Sequence, residues 1–146
     1  MRLVTHILFS IAITLPLNLV FHTHYILALI PVAFVNVAMD AAGHKNMMRT
    51  KLTHSPLSAT VTALVWGAAL YFLLPLIGLS IPFYFVLLSS VMGGWSHLFL
   101  DSMTMGGIFV FGKRFAIAHF KLGLIDIPFI IVSFVGLFYV ISALGA

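Results

Sequence analysis

Five long apolar runs, at roughly 3 to 21, 25 to 39, 57 to 77, 81 to 100 and 125 to 144, fill the chain and leave only short connections. A helix of about 20 such residues spans the hydrocarbon of a bilayer. The runs therefore predict an all-α membrane protein, a bundle of about five transmembrane helices forming one membrane-embedded domain over 1–146. Composition agrees: 62% of residues are hydrophobic and 7% charged, against about 45–50% and 25% in soluble domains. A water-soluble globule is excluded, and no length remains for a separate soluble domain. With no cysteine, disulfides, thiolate zinc sites and iron–sulfur clusters are excluded too.

Local signals sharpen the spans. Ser55 is suited to cap a helix that begins at Pro56, where a missing N–H costs nothing. Pro16, Pro31, Pro75 and Pro128 lie in or near apolar runs and predict kinks rather than breaks. The first run is longer than the apolar part of a signal peptide and no A-x-A-like site follows it, so it reads as a retained helix. Asp126, ahead of Ile127-Pro128, reads most simply as a helix N-cap. Between the last two spans, residues 107 to 117 resemble two short strands around a Gly112-Lys113 turn, a small hairpin lying on the membrane face.

If five spans alternate, the amino terminus and the 40 to 56 and 101 to 124 connections share one side, and all seven basic residues fall there. The positive-inside rule makes that side cytoplasmic and sends the carboxyl terminus out of a multi-pass cell-membrane protein. Membrane lipids are the expected partners, and no nucleic acid is expected.

Ionisable groups at membrane depth are expensive and call for a reason. His97 and Asp101, four apart at the end of the fourth span, present an imidazole and a carboxylate on one helix face. Asp40 closes the second span, His54 opens the third, and His6 lies one turn inside the first with Ser10 one turn further on. These groups fall at one membrane level, with His44 and His119 in connections on the same side. His22 and His24, at the other side, read as solvated. Imidazoles and carboxylates without thiolates suit zinc, with manganese or iron less favoured. Gly93 and Gly94, one turn before His97, are small enough to let helices meet closely.

At these residues the sequence resembles the YdjM-like family of predicted membrane-bound, metal-dependent hydrolases, and more closely its archaeal branch. The resemblance rests on Thr5-His6 with Phe9-Ser10; Asp40 followed by His44; Arg49 and Thr53-His54-Ser55; and Ser96-His97 through Asp101 and Thr104 to Gly106-Gly107. Ala42 stands where the family's more usual paired acids would place the second. The order Asp, His, then HxxxD is also similar to the zinc-dependent phospholipase C and single-strand nuclease superfamily. This resemblance implies hydrolysis of a phosphodiester, such as a phospholipid headgroup. Asp40, His54, His97 and Asp101 would be metal ligands, with His6 and His44 completing the set. An aspartate, Asp40 or Asp101, would double as general base. Ser10, Thr104 or His119 would orient ligands, and Arg49 would bind the substrate's negative charge. Two rivals stay open: a metal or proton transporter, which predicts ligands staggered across the bilayer, and a non-catalytic scaffold stabilised by metal in closed coordination.

Overall fold

A computed structural model describes residues 2–21, 26–45, 48–51, 53–118 and 126–143. The elements are α1 (Leu3–Thr14), α2 (Leu17–Phe21), α3 (Ile26–Gly43), β1 (His44–Lys45), β2 (Met48–Arg49), α4 (Pro56–Leu73) with a 3-10 turn over Leu74–Ile77, α5 (Phe83–Ser102), β3 (Ile108–Val110), β4 (Lys113–Phe115) and α6 (Asp126–Ala143). The fold is mostly helical with two small antiparallel hairpins. Helix α5 is the centre, packing against α1, α3 and α4, while α6 lies along α1.

Among the described residues, two helices, Pro56–Ile77 and Phe83–Ser102, are long and apolar enough to cross a membrane, where the sequence led us to expect about five. Leu3–Thr14, Leu29–Gly43 and Asp126–Ser142 are apolar but shorter. For the first run the physical reason is Pro16. Its missing N–H and its ring break the ladder, so the run divides into α1 and α2 at Leu15–Pro16 rather than kinking. Pro75 likewise ends α4 in a 3-10 turn, closed by Gly78 in the left-handed region at φ 77°. Pro31 stays inside α3 as expected.

Small residues bring the helices together. A Cβ on Gly93 would stand 3.4 Å from the Val32 Cα of α3, and one on Gly94 would stand 3.3 Å from the Ala63 Cβ of α4. Polar groups share the interior with an apolar core: Thr5, Ser10, Asn36, Ser89, Ser90 and Ser96 are buried beside Val32, Val35, Met39 and Phe85, while Val61, Val65, Phe72, Val135 and Phe138 lie exposed. Ser55 caps α4 through the Ser58 N–H, with Pro56 leading the helix. Asp126 does something other than the expected capping. It stands in the first turn of α6, and its Oδ1 accepts from the Thr5 hydroxyl at 2.9 Å and the Arg2 N–H at 3.3 Å, tying α6 to α1.

The β3–β4 hairpin pairs Ile108 with Phe115 and Val110 with Lys113. Its turn is therefore Phe111-Gly112, one residue earlier than the sequence suggested. Both turn residues have positive φ, 48° and 79°, the signature of a type I′ turn, which suits asparagine or glycine and not phenylalanine. Phe111→Asn should relieve about 1 kcal/mol of local strain and slow amide exchange at Val110 and Lys113; unchanged or faster exchange would contradict the turn assignment.

Candidate metal centre

His6, Asp40, His54, His97 and Asp101 sit near one end of the bundle, because the four chain segments that carry them start or finish there. Asp101 is the hub. Its Oδ1 lies 3.0 Å from His6 Nε2, its Oδ2 lies 3.1 Å from His54 Nε2 and 3.5 Å from His97 Nε2, and Arg49 Nη2 contacts Oδ1 as well. His97 Nε2 is also 3.4 Å from Asp40 Oδ1. His6, His54, His97 and Asp101 are buried, whereas the Asp40 side chain is 20% exposed, which makes its side the open one.

Hydrogen bonds behind the rings fix which nitrogens face inward. His6 Nδ1 lies 3.1 Å from the Arg2 carbonyl, which only accepts, so Nδ1 carries the proton. His97 Nδ1 lies 3.0 Å from Asn36 Oδ1. The Asn36 amide is oriented by donating from Nδ2 to the Val32 carbonyl at 2.8 Å and to Ser10 Oγ at 3.1 Å, so its oxygen must accept from His97. Neutral imidazole has one donor and one acceptor nitrogen; in both residues the Nε2 lone pair therefore points at carboxylate oxygens. His97 Nε2 and Asp101 Oδ2 are buried with no hydrogen-bond partner among the described residues.

Acceptors facing acceptors repel unless a cation stands between them. Protonating both rings is a poor answer for His6 and His97, which stack with centroids 4.1 Å apart, because like charges buried that close oppose each other strongly. A divalent cation held between the rings and the carboxylates would match these lone pairs. His6, His97 and Asp101 form one group, and Asp40, His54 and His97 another, in each of which the donor atoms lie within 4.8 Å of one another. Donors about 2.0–2.2 Å from a tetrahedral cation stand roughly 3.3–3.6 Å apart, the range in which His97 Nε2 stands from Asp40 Oδ1 at 3.4 Å and Asp101 Oδ2 at 3.5 Å. The backing bonds on Nδ1 are those that metal-ligating histidines usually have.

Arg49 departs from its expected role. Rather than standing open to a substrate, it reaches inward from β2: beyond Asp101 Oδ1, its Nη1 donates to Thr104 Oγ1 at 2.8 Å, the Gly107 carbonyl at 3.1 Å and the Asp101 carbonyl at 3.3 Å. Burial is the largest influence on its pKa and lowers it, with the Asp101 charge opposing. Thr104 thus acts through Arg49 and the Asp101 carbonyl, and Ser10 through Asn36 and Ser96, whose hydroxyl donates to Ser10 Oγ at 2.6 Å. The backbone of His44 lies in β1, paired with Arg49. His22, His24 and His119 lie outside the described residues. Sequence reasoning passed over Asn36, although a lone amide one helical turn before Asp40 in an apolar run was a usable signal.

Two glycines make room for this arrangement. A Cβ on Gly43 would collide with Thr53 Oγ1 and the His54 ring, and one on Gly106 would collide with the Arg49 guanidinium. Gly43→Ala should push His54 out of the cluster at a cost of about 1–3 kcal/mol, read as lowered metal content in purified protein; unchanged metal content would show that His54 is not needed.

Residues 1–100 match the profile of a family described as "Protein of unknown function (DUF1286)". The match takes in His6, Asp40, His54 and His97 and ends one residue before Asp101. No curated protein and no solved structure matches the chain.

Proposed function

The chain belongs to that DUF1286 family, and from the geometry of its site we propose that it is a membrane-embedded, zinc-dependent hydrolase acting on a phosphodiester, such as a phospholipid headgroup, at the cytoplasmic membrane face. The observation that carries the reading is the pair of buried imidazoles, His6 and His97, whose Nδ1 protons are engaged elsewhere and whose Nε2 lone pairs meet carboxylates. His6, Asp40, His54, His97 and Asp101 would hold the metal, in one or two sites, with manganese or iron as substitutes. The chemistry a bound zinc ion supplies is a water made acidic enough to ionise near neutrality and polarisation of a phosphoryl oxygen.

The chain's own groups would do the rest. Asp40, the partly exposed carboxylate, is placed to take a proton on the open side. Arg49 holds the Asp101 carboxylate in place through its contact with Oδ1, and Asn36 keeps the His97 lone pair turned inward. The YdjM-like resemblance supports the same reaction class. Support for the bilayer comes from two helices of spanning length and from buried hydroxyls beneath an apolar exterior, the sorting that lipid favours. In the five-pass arrangement we propose, all five apolar runs lie in the membrane and the cluster faces the basic, cytoplasmic side.

Clustering at one end favours an enzyme over a conduit, which needs groups spread along a path. The test is elemental analysis of the purified full-length chain together with a screen of phospholipids and model phosphodiesters. Bound zinc with hydrolysis that chelation abolishes is the expected result. Zinc bound without turnover of any phosphodiester would leave the scaffold reading in its place, and zinc uptake into liposomes without hydrolysis would leave the transporter.

A further inference from the structure

Beside the cluster, the β3–β4 hairpin leans on the start of α4. The Phe109 N–H donates to the His54 carbonyl at 2.7 Å, which pins the hairpin to the segment that carries a candidate ligand. Between hairpin and helix opens a cleft of about 360 Å³ lined by Lys51, Ser55, Pro56, Leu57 and the end of β3 with its turn, Phe109 to Gly112. Its walls are apolar, and its cation is Lys51, whose Nζ stands 5.8 Å from the centre of the Phe109 ring.

Two features of the cleft are unexplained by the chain itself. Phe111 occupies a left-handed turn position at φ 48°, which costs a non-glycine residue about 1–2 kcal/mol, and no packing among the described residues repays it, since its side chain is fully exposed. Leu57, across the cleft, is 78% exposed. The nearby cations Lys51, Lys113 and Arg114 are exposed, and no ion pair among the described residues involves them. Strain kept at a turn tip points to a partner outside the fold. Apolar walls with Lys51 among them, and Lys113 and Arg114 next along the hairpin, with the chain's three acids being Asp40, Asp101 and Asp126, suit a partner that is apolar and anionic.

We infer that the cleft between α4 and the β3–β4 hairpin is a seat for an anionic phospholipid, its acyl part against Leu57, Phe109 and Phe111 and its phosphate on Lys51. The inference rests on the membrane reading above but not on the hydrolase reading. It gives the hairpin a purpose: to hold a lipid of the cytoplasmic leaflet beside the segment that carries His54.

The test uses the full chain in nanodiscs of equal parts phosphatidylglycerol and phosphatidylcholine, with the retained lipid counted by native mass spectrometry. The wild-type chain should retain phosphatidylglycerol in preference, and Lys51→Gln should weaken that retention about fivefold, the factor expected for one cation at an anionic surface. Because the chain has no cysteine, Phe111→Cys takes a single environment-sensitive fluorophore, whose emission should shift to the blue and be quenched by lipids brominated in their acyl chains. Equal retention of the two lipids, retention unaffected by Lys51→Gln, or emission that brominated lipid leaves unchanged would each overturn the proposal. A chain that fails to enter nanodiscs would overturn the membrane reading and the lipid seat with it. His97→Ala should lose zinc and keep the lipid, so failure of the hydrolase reading would be seen separately.

Discussion

Asp101→Ala should purify with almost no bound zinc and show no turnover, a larger loss than any other single substitution in the cluster. The reason is the number of groups that meet on one carboxylate: His6 and Arg49 on Oδ1, and His54 and His97 on Oδ2. Removing it takes away a proposed ligand and also leaves a largely buried guanidinium without its counter-charge, which costs about 3–5 kcal/mol. Loss of metal could then follow from misfolding alone. Asp101→Asn separates the two causes, because the amide oxygen still accepts from Arg49 while the negative charge is gone. The expected outcome is helical content and thermal unfolding near those of the wild type, with zinc affinity down by about 100-fold or more. Wild-type zinc content in Asp101→Asn would remove Asp101 from the metal site and undo the proposed function. Combining Arg49→Met with Asp101→Asn should restore part of any lost stability without restoring zinc, since the unpaired cation goes with the carboxylate.

What the sequence disclosed follows from what spacing can carry. The i, i+4 relation of His97 and Asp101 fixes their face, and the ends of apolar runs fix the level of His6, Asp40 and His54, so the gathering of these residues at one end was readable. Which partner each side chain takes was not. Arg49 lies in a connection, and only tertiary structure shows that Gly106, lacking a Cβ, leaves the space into which its guanidinium turns. The β1–β2 hairpin that delivers it has two-residue strands, too short for alternation to register. The break at Pro16 comes from the proline itself and differs from a kink only in degree, while the hairpin turn one residue early puts Phe111 in the left-handed region, against the local preference that the sequence reading relied on. Asp126 reads as a cap from its neighbours in sequence, yet it is Thr5, on another helix, that engages it.

Asn36→Leu is the second decisive variant, because it tests orientation without touching a ligand. The amide holds the His97 ring by accepting from Nδ1 and is itself held by Val32 and Ser10. Leucine is close in size and favours a helix, so α3 should persist, and the Ser10–Ser96 hydroxyl pair can still bond to the Gly93 carbonyl. His97 would then be free to exchange tautomers or rotate, and Nε2 would no longer be committed to the side of Asp40 and Asp101. Loss of such a backing bond typically lowers metal affinity by about 10–100-fold, and that is the fall expected in a competitive zinc titration. A purely structural Asn36 would give a different pattern: a lower unfolding temperature in the apo and zinc-loaded protein alike, with zinc affinity unchanged. An unchanged affinity would mean that His97 is turned inward by its neighbours in the cluster, and the argument from locked lone pairs would then rest on His6 alone.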